Sequence, residues 1–433
     1  MIERLTQSEL REMWTDLGMN LELHDQLLES SSRIFRKTHL WQERRPAAMS
    51  LFDRALHDSH GQRVAEILDY RNNGGKSIGT FCIYVPDEIA LAANVLAIPL
   101  CGGSGWSVDY ADKMLPRDIC PLVRSTFGMA LSGTCPYKTL KEYPLGETTC
   151  DAKKKTWDLF GIPSMEVPQK KNMKDRDLWI SEVNRFMEEM EGLSGVRVTA
   201  ANLRASIRKC NRKRAVLQKI SDYRKLRKPP ISGLDSLLVS QVSLNMDIDS
   251  FISACDELIS ELAARADEGI SAYESDGVRV LFAGTPSPMG YAKVHWAAET
   301  SGLQIVADES CTGIRYYRDQ IPEDLETVDA MVEAVAERYF KIDCPCFSPN
   351  RERSDNISNV MEEYKAEAVV HNILQFCHGF NVEAGALDTM LKDKGIPSLK
   401  IVCDYSEEDG EQIKVRMEAF REIIESNRNP EAE

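Results

Sequence analysis

The chain has 433 residues, 43% hydrophobic and 28% charged, a composition that fits a folded globular protein and excludes a disordered or collagen-like one. At roughly 150 residues per domain it has room for about three domains, or two large ones. Its 68 acidic residues outnumber 53 Lys and Arg, and the net charge of −15 makes it a poor candidate for a general nucleic-acid binder.

Residues 1–75 read as a helical segment. Leu5, Leu10, Met13, Trp14 and Leu17 recur at helical spacing with charged residues between them. The opening MIERLTQSELREMW holds no apolar run able to serve as a signal peptide. No apolar stretch anywhere reaches bilayer length, so a cytoplasmic protein without a membrane partner is expected. Asn72, Asn73, Gly74 and Gly75 form a strong stop signal.

Residues 76–173 alternate between strand and helix. Ile78–Tyr84 (IGTFCIY) is β-rich, Asp87–Leu96 helical, and Ala97–Leu100 a short strand ending on Cys101. Cys120–Leu131 reads as a helix with Pro121 in its first turn. Cys150–Phe160 is a further helix and Ser164–Val167 a further short strand. Such alternation predicts an α/β layer on a mostly parallel sheet. Residues 174–274 lose the alternation and read as long helices. Between 203 and 229 lie eleven Lys and Arg against one acid, Asp222. That stretch is either a solvated helical face or a docking face for an acidic partner or phosphates.

Residues 275–433 return to α/β. Val278–Ala283, Leu303–Ala307, Ala366–Ile373 and Pro397–Val402 read as strands, with helices from about Tyr291 to Thr300 and from Cys377 to about Leu391. Ser406 and Asp409 have the spacing of a capping box. The two α/β portions look alike in architecture, with no sequence repeat to demonstrate duplication.

The twelve cysteines sit in a chain expected to stay in a reducing compartment, which favours thiols, metal ligands or catalytic groups over disulfides. Cys82, Cys210, Cys255 and Cys403 lie in strands or helices and read as buried structural thiols. Cys101, Cys150, Cys311 and Cys377 fall after strands or at helix openings, and Cys120 and Cys346 are each close to a proline. Ligands of open α/β sheets bind outside the carboxyl ends of the strands. Helix N-termini there favour thiolate. Cysteines so placed in both α/β portions can converge on one interdomain crevice. Only Cys344 and Cys346 form a close pair, which excludes zinc-ribbon, ferredoxin-run and C-x2-C redox spacings. Gly74-Gly75-Lys76-Ser77 lacks the first P-loop glycine, since Tyr70 occupies that position. Among seven histidines, His378 beside Cys377 is the one candidate proton donor, with a structural histidine as the plainer reading.

The combination of motifs resembles a known superfamily. Thr149–Trp157 (TCDAKKKTW) is similar to the T-C-D-x-x-K-K motif of the 2-hydroxyacyl-CoA dehydratases and benzoyl-CoA reductases. Asp118–Arg124 (DICPLVR) and Leu374–Glu383 (LQFCHGFNVE) resemble its other two cluster-cysteine motifs. Cys101-Gly102-Gly103, Glu309–Gly313 (ESCTG), Asp343–Phe347 (DCPCF) and Asp404–Glu408 (DYSEE) resemble the branch called double-cubane cluster proteins. The resemblance runs from about residue 76 to 425.

It implies two Rossmann-like α/β domains, 76–173 and 275–433, with an iron–sulfur cluster between them and helical segments at 1–75 and 174–274. It implies Cys120, Cys150 and Cys377 as ligands of one [4Fe–4S] cluster. In the double-cubane branch Cys101, Cys311 and Cys346 would complete the six ligands of an [8Fe–9S] cluster, with Cys135 and Cys344 in reserve. It further implies an oxygen-sensitive homodimer that reduces a small molecule with low-potential electrons. A separate homodimeric ATPase carrying its own [4Fe–4S] cluster would supply those electrons. The alternative is a 2-hydroxyacyl-CoA dehydratase subunit with one [4Fe–4S] cluster. Lys153, Lys154 and Lys155 behind Cys150 either raise the cluster potential or decorate a helix.

Overall fold

The computed structural model describes residues 3–428. Two four-stranded parallel sheets form, one in each α/β portion. The first contains β1 (Lys76–Thr80), β2 (Val95–Pro99), β3 (Pro144–Glu147) and β4 (Ser164–Met165), in the order β2-β1-β3-β4. The second contains β5 (Val278–Gly284), β6 (Leu303–Glu309), β7 (Ala368–Leu374) and β8 (Ser398–Cys403), in the order β6-β5-β7-β8. The two orders are the same topology, 2-1-3-4. Each sheet therefore has its switch point between its first and third strands, where a ligand crevice opens beyond the carboxyl ends. β6 and β7 are buried at every residue, as strands covered on both faces by helices must be.

The N-terminal segment is helical, with helices at Gln7–Asp16, Leu21–Thr38, Met49–His57 and Gln62–Asn72. The last of these stops at the expected place, where Gly74 takes φ +91°. Several expected boundaries shift. The run IGTFCIY is strand only to Thr80, because β1 pairs with β2 and β3 no further. Cys82 thus lies in the turn after the strand rather than inside it. Asp87–Leu96 divides into a helix Asp87–Ala92 and the start of β2, separated by Asn94 at φ +56°. The helix expected from Tyr291 begins at Lys293. The capping box at Ser406 does not form. The Ser406 hydroxyl accepts from Glu408 N at 3.2 Å, Asp409 is taken by Lys293, and the helix starts at Gly410.

Residues 173–267 form four helices, Met173–Ser194, Ala200–Asp222, Gly233–Ser243 and Ile248–Asp267. Every residue of Gly233–Ser243 is buried, which fits a helix without a polar face set between layers. The basic stretch divides: Arg208, Arg212, Lys219, Arg227 and Lys228 form a solvated face, while three other cations turn inward. Arg214 and Arg224 are buried, and Arg214 pairs with the equally buried Glu88 of the first α/β domain. Lys213 lies over the Tyr316 ring of the second at 5.1 Å. Lys209, Arg212 and Lys225 pair with Asp249, Asp256 and Glu363. Lys213, Arg214 and Arg224 are thus spent inside the molecule, bracing the central helix, while most of the basic charge stays at or near the surface.

One buried acid gives the fold a pH signature. Glu299 accepts from Gly233 N at 2.8 Å and from the Tyr273 hydroxyl at 2.6 Å, and burial pushes its carboxyl from 4.5 up to about 7. Folded Glu299 keeps a proton that the unfolded chain releases near 4.5, so between those values the folded state binds more protons. Its contribution to stability is therefore greatest at the acid end of that window and falls as pH rises through about 7. Urea midpoints taken across this range should show a downward component that is flattened in Glu299→Gln.

Candidate metal centre

Three cysteines occupy the same local position. Cys120, Cys150 and Cys377 are the N-cap residues of helices Pro121–Leu131, Asp151–Leu159 and His378–Asp393. A strand end or loop delivers the chain to each helix start, and the first-turn N–H groups there are free to meet a sulfur. The Cys120 and Cys377 thiols are close enough to share a hydrogen bond. With the N–H groups of Leu122 and Val123, that bond pulls Cys120 down to about 7 and pushes Cys377 well up. Cys150, the most exposed of the cysteines, neighbours both.

A second group lies further along the crevice. Cys311 follows β6, and its sulfur accepts from Arg315 Nη1 at 3.6 Å. Cys344 and Cys346 interact directly in the loop before helix Arg351–Tyr364. Cys311 and Cys344 are neighbours of each other and of Cys82. Cys101, after β2, lies between the two groups and neighbours both Cys120 and Cys311. Its thiol donates to Phe81 O at 3.1 Å. Burial pushes Cys101 up to about 12 and Cys311 up to about 11 and raises Cys82, while Cys346 first and burial second raise Cys344.

The six cysteines singled out from the sequence are thus joined in a chain of neighbours, Cys346 through Cys344. Cys344 itself belongs to that chain, and so does Cys82, which sequence reasoning assigned to the core. The signal that could have found Cys82 is its place four residues before Pro86, in a run too long to pair as one strand. Cys135 stands apart, packed on the N-terminal helices with Lys138 and Lys141 as its charged neighbours. Cys210, Cys255 and Cys403 are buried, as expected. His378 is exposed on the first turn of its helix. Among the described residues no side chain hydrogen-bonds its ring.

Charged side chains wall the crevice. In the first domain, Lys153 pairs with buried Glu147 and donates to Phe81 O at 3.3 Å. Burial alone would lower Lys153, but Glu147 holds it well above its ordinary value, with Cys82, Cys101 and Cys150 nearby. Of the three neighbouring lysines, then, only Lys153 faces the cysteines. Lys154 pairs with exposed Asp151, and Lys155 is exposed.

In the second domain a buried ion network ties the cysteine loops together. Arg315 donates to Glu309 Oε1 through Nε at 2.9 Å and Nη2 at 2.5 Å. Arg353 reaches Glu309 Oε2 at 3.2 Å and also pairs with Glu383, on the helix that Cys377 caps. Arg318 lies 3.1 Å from Asp343, the residue before Cys344. Burial works against the Asp343 carboxylate, yet Arg315 and Arg318 hold it below its ordinary range.

The donor set fits an iron–sulfur cluster. Eight soft sulfurs lie among buried cations, and burial further disfavours the bare thiolate at Cys82, Cys101, Cys150 and Cys311. Bound metal would deprotonate them outright. Among the described residues no three Cys, His, Asp or Glu side chains close around a point for a single ion. The thiols are strung along the crevice instead, as they would be around a multi-iron body whose irons each take a separate cysteine.

Residues 82–424 match the family model described as 2-hydroxyglutaryl-CoA dehydratase, D-component. The chain is 32% identical over 365 residues, 83% of this chain and 94% of the other, to YjiM of Escherichia coli (strain K12), which carries the name of a dehydratase subunit. It is 24% identical over 360 residues to the (R)-phenyllactyl-CoA dehydratase beta subunit of Clostridium sporogenes, covering 81% of this chain and 92% of that one. It is 23% identical over 355 residues to a benzoyl-CoA reductase subunit of Thauera aromatica, covering 79% and 89%.

Proposed function

Because the chain belongs to the 2-hydroxyglutaryl-CoA dehydratase D-component family, we propose that it is the reductase component of an iron–sulfur enzyme of that family, holding a double-cubane [8Fe–9S] cluster. The supporting observation is the number and layout of the thiols. Cys120, Cys150 and Cys377 form one end of the chain of neighbours, Cys311, Cys344, Cys346 and Cys82 the other, with Cys101 between them. One cubane needs at most four. The preferred ligands are Cys101, Cys120, Cys150, Cys311, Cys346 and Cys377. Cys344 and Cys82 lie within reach of the same space.

Such a cluster supplies low-potential electrons in succession at one substrate site. The chain's own residues set the conditions for it. Lys153 places a fixed positive charge beside Cys82, Cys101 and Cys150, which favours the more reduced, more negative state. The Arg315 N–H aimed at the Cys311 sulfur acts in the same direction. Helix N-termini at Cys120, Cys150 and Cys377 add partial positive charge at the other end. His378, exposed beside Cys377, is positioned to bring protons from solvent. Electrons come from a homodimeric ATPase with its own [4Fe–4S] cluster, the protein acts as a cytoplasmic homodimer, and the substrate is a small molecule. Among the described residues no helix is long and apolar enough to cross a membrane.

The N-cap trio also favours a second reading. Cys120, Cys150 and Cys377 share the same N-cap position and lie near one another, and a relative of this chain is named an (R)-phenyllactyl-CoA dehydratase beta subunit. Under that reading the chain is a 2-hydroxyacyl-CoA dehydratase subunit with one [4Fe–4S] cluster. Iron and acid-labile sulfide per chain, measured on protein purified without oxygen, separate the two. About eight iron with a small excess of sulfide supports the double cubane. About four, with retention on a CoA resin, supports the dehydratase subunit. Near zero in folded protein would overturn both.

A further inference from the structure

Tyr405 is the residue after Asp404 in the loop that leaves β8. Its side chain is buried, and its hydroxyl meets no hydrogen-bond partner among the described residues. The ring cannot turn away to find one. It packs edge-on against Tyr291, with centroids 4.8 Å apart at 69°. Its backbone carbonyl is pressed against Gly105, where any Cβ would come within 2.5 Å of the oxygen. That contact is why the Cys101–Gly105 loop needs glycine there. Asp404 accepts from Ser406 N at 2.8 Å and fixes the turn.

The Tyr405 ring packs in one buried cluster with Cys403, and Cys101, Cys120 and Cys377 pack against the same cluster. Burial first, then Cys120, Cys101, Cys403 and Cys377, raise its pKa well above the ordinary value for tyrosine. Cys403 is already engaged by the Tyr291 hydroxyl at 3.2 Å. The remaining three are proposed cluster ligands. A neutral thiol is a weak acceptor, whereas a metal-bound thiolate or sulfide is a much better one. Tyr405 also lines a small surface pocket with Lys37, Gly103, Gly105 and Trp296.

Resting on the cluster reading above, we infer that the Tyr405 hydroxyl donates a hydrogen bond to a sulfur of the cluster. An N–H or O–H donor to sulfur stabilises the reduced cluster and raises its potential. Tyr405→Phe keeps the ring and removes only the donor. Anaerobic holoprotein of the variant should hold as much iron as wild type, and its midpoint potential should move to a more negative value. Its iron–sulfur stretching bands should lose part of the shift that wild type shows in D2O. Tyr291→Phe, whose hydroxyl serves Cys403, should leave the potential unmoved. In iron-free protein the Phe variant should be at least as stable as wild type, because there the hydroxyl has no partner to lose. Equal midpoints and equal D2O shifts in iron-loaded wild type and variant would overturn this inference alone. So would a loss of stability confined to the iron-free form, since it would mean a protein partner. Iron-free wild type after strictly anaerobic purification would overturn the cluster reading and this inference with it.

Discussion

Cys150→Ser and Cys377→Ser should each remove a large part of the bound iron while the chain keeps its helix content and its mass in solution. The reason is local and tertiary together. Each cysteine caps a helix, and the two helices belong to different domains, so the sulfurs meet only across the crevice. A serine hydroxyl can still cap the helix, so folding is spared. It is a hard, neutral ligand that does not replace thiolate at iron. Cys135→Ser supplies the contrast. Its thiol packs on the N-terminal helices away from the crevice and should leave iron per chain unchanged. The measurement is iron and sulfide per chain with a far-ultraviolet spectrum on the same anaerobic sample. Unchanged iron in both Cys150→Ser and Cys377→Ser would remove these residues from the ligand set.

Glu309→Ala should cost about 3–5 kcal/mol of stability, the usual effect of taking one partner from a fully buried ion network. Glu309 is wholly buried and takes Arg315 on one oxygen and Arg353 on the other. Both guanidiniums are themselves buried and stack on Phe380 at 5.5 and 4.9 Å. Without Glu309, Arg315 loses its closest counter-charge and keeps only Asp343, while Arg353 loses its second acid and keeps Glu383. A surface pair gives the scale. Arg11→Ala opposite Asp25, both half exposed, should change stability by less than about 1 kcal/mol. Denaturant midpoints compare the two directly. The Glu309 variant should also bind iron less well, because Arg315 contacts Cys311 and Arg353 anchors the helix of Cys377. A Glu309→Ala midpoint as close to wild type as that of Arg11→Ala would show that the network contributes little to holding the crevice.

Much of the fold was legible in residue order. Strand–helix alternation placed seven of the eight strands in β-rich runs, and the loss of alternation after residue 173 marked the helical insert. Misplaced boundaries, as at Thr80 and Ala92, came where apolar runs extend past the point at which a neighbouring strand is available to pair. The failed capping box at Ser406 has the same origin. Asp409 was drawn to Lys293, more than a hundred residues away.

The site was legible in part for a related reason. A cysteine after a strand or before a helix is visible in the sequence, because strand ends and helix caps are local events. The sequence alone therefore determined the two α/β portions, the helices between them, and the cysteines able to reach a crevice. Only the tertiary structure decided which ones meet there. It brought in Cys82 and Cys344, left Cys135 outside, and drew Lys213, Arg214 and Arg224 of the basic stretch into the interior. Propensity and capping act over a few residues of chain. Proximity between Cys101 and Cys311, or between Glu88 and Arg214, depends on sheet order and on how the two domains pack, and no local pattern encodes that.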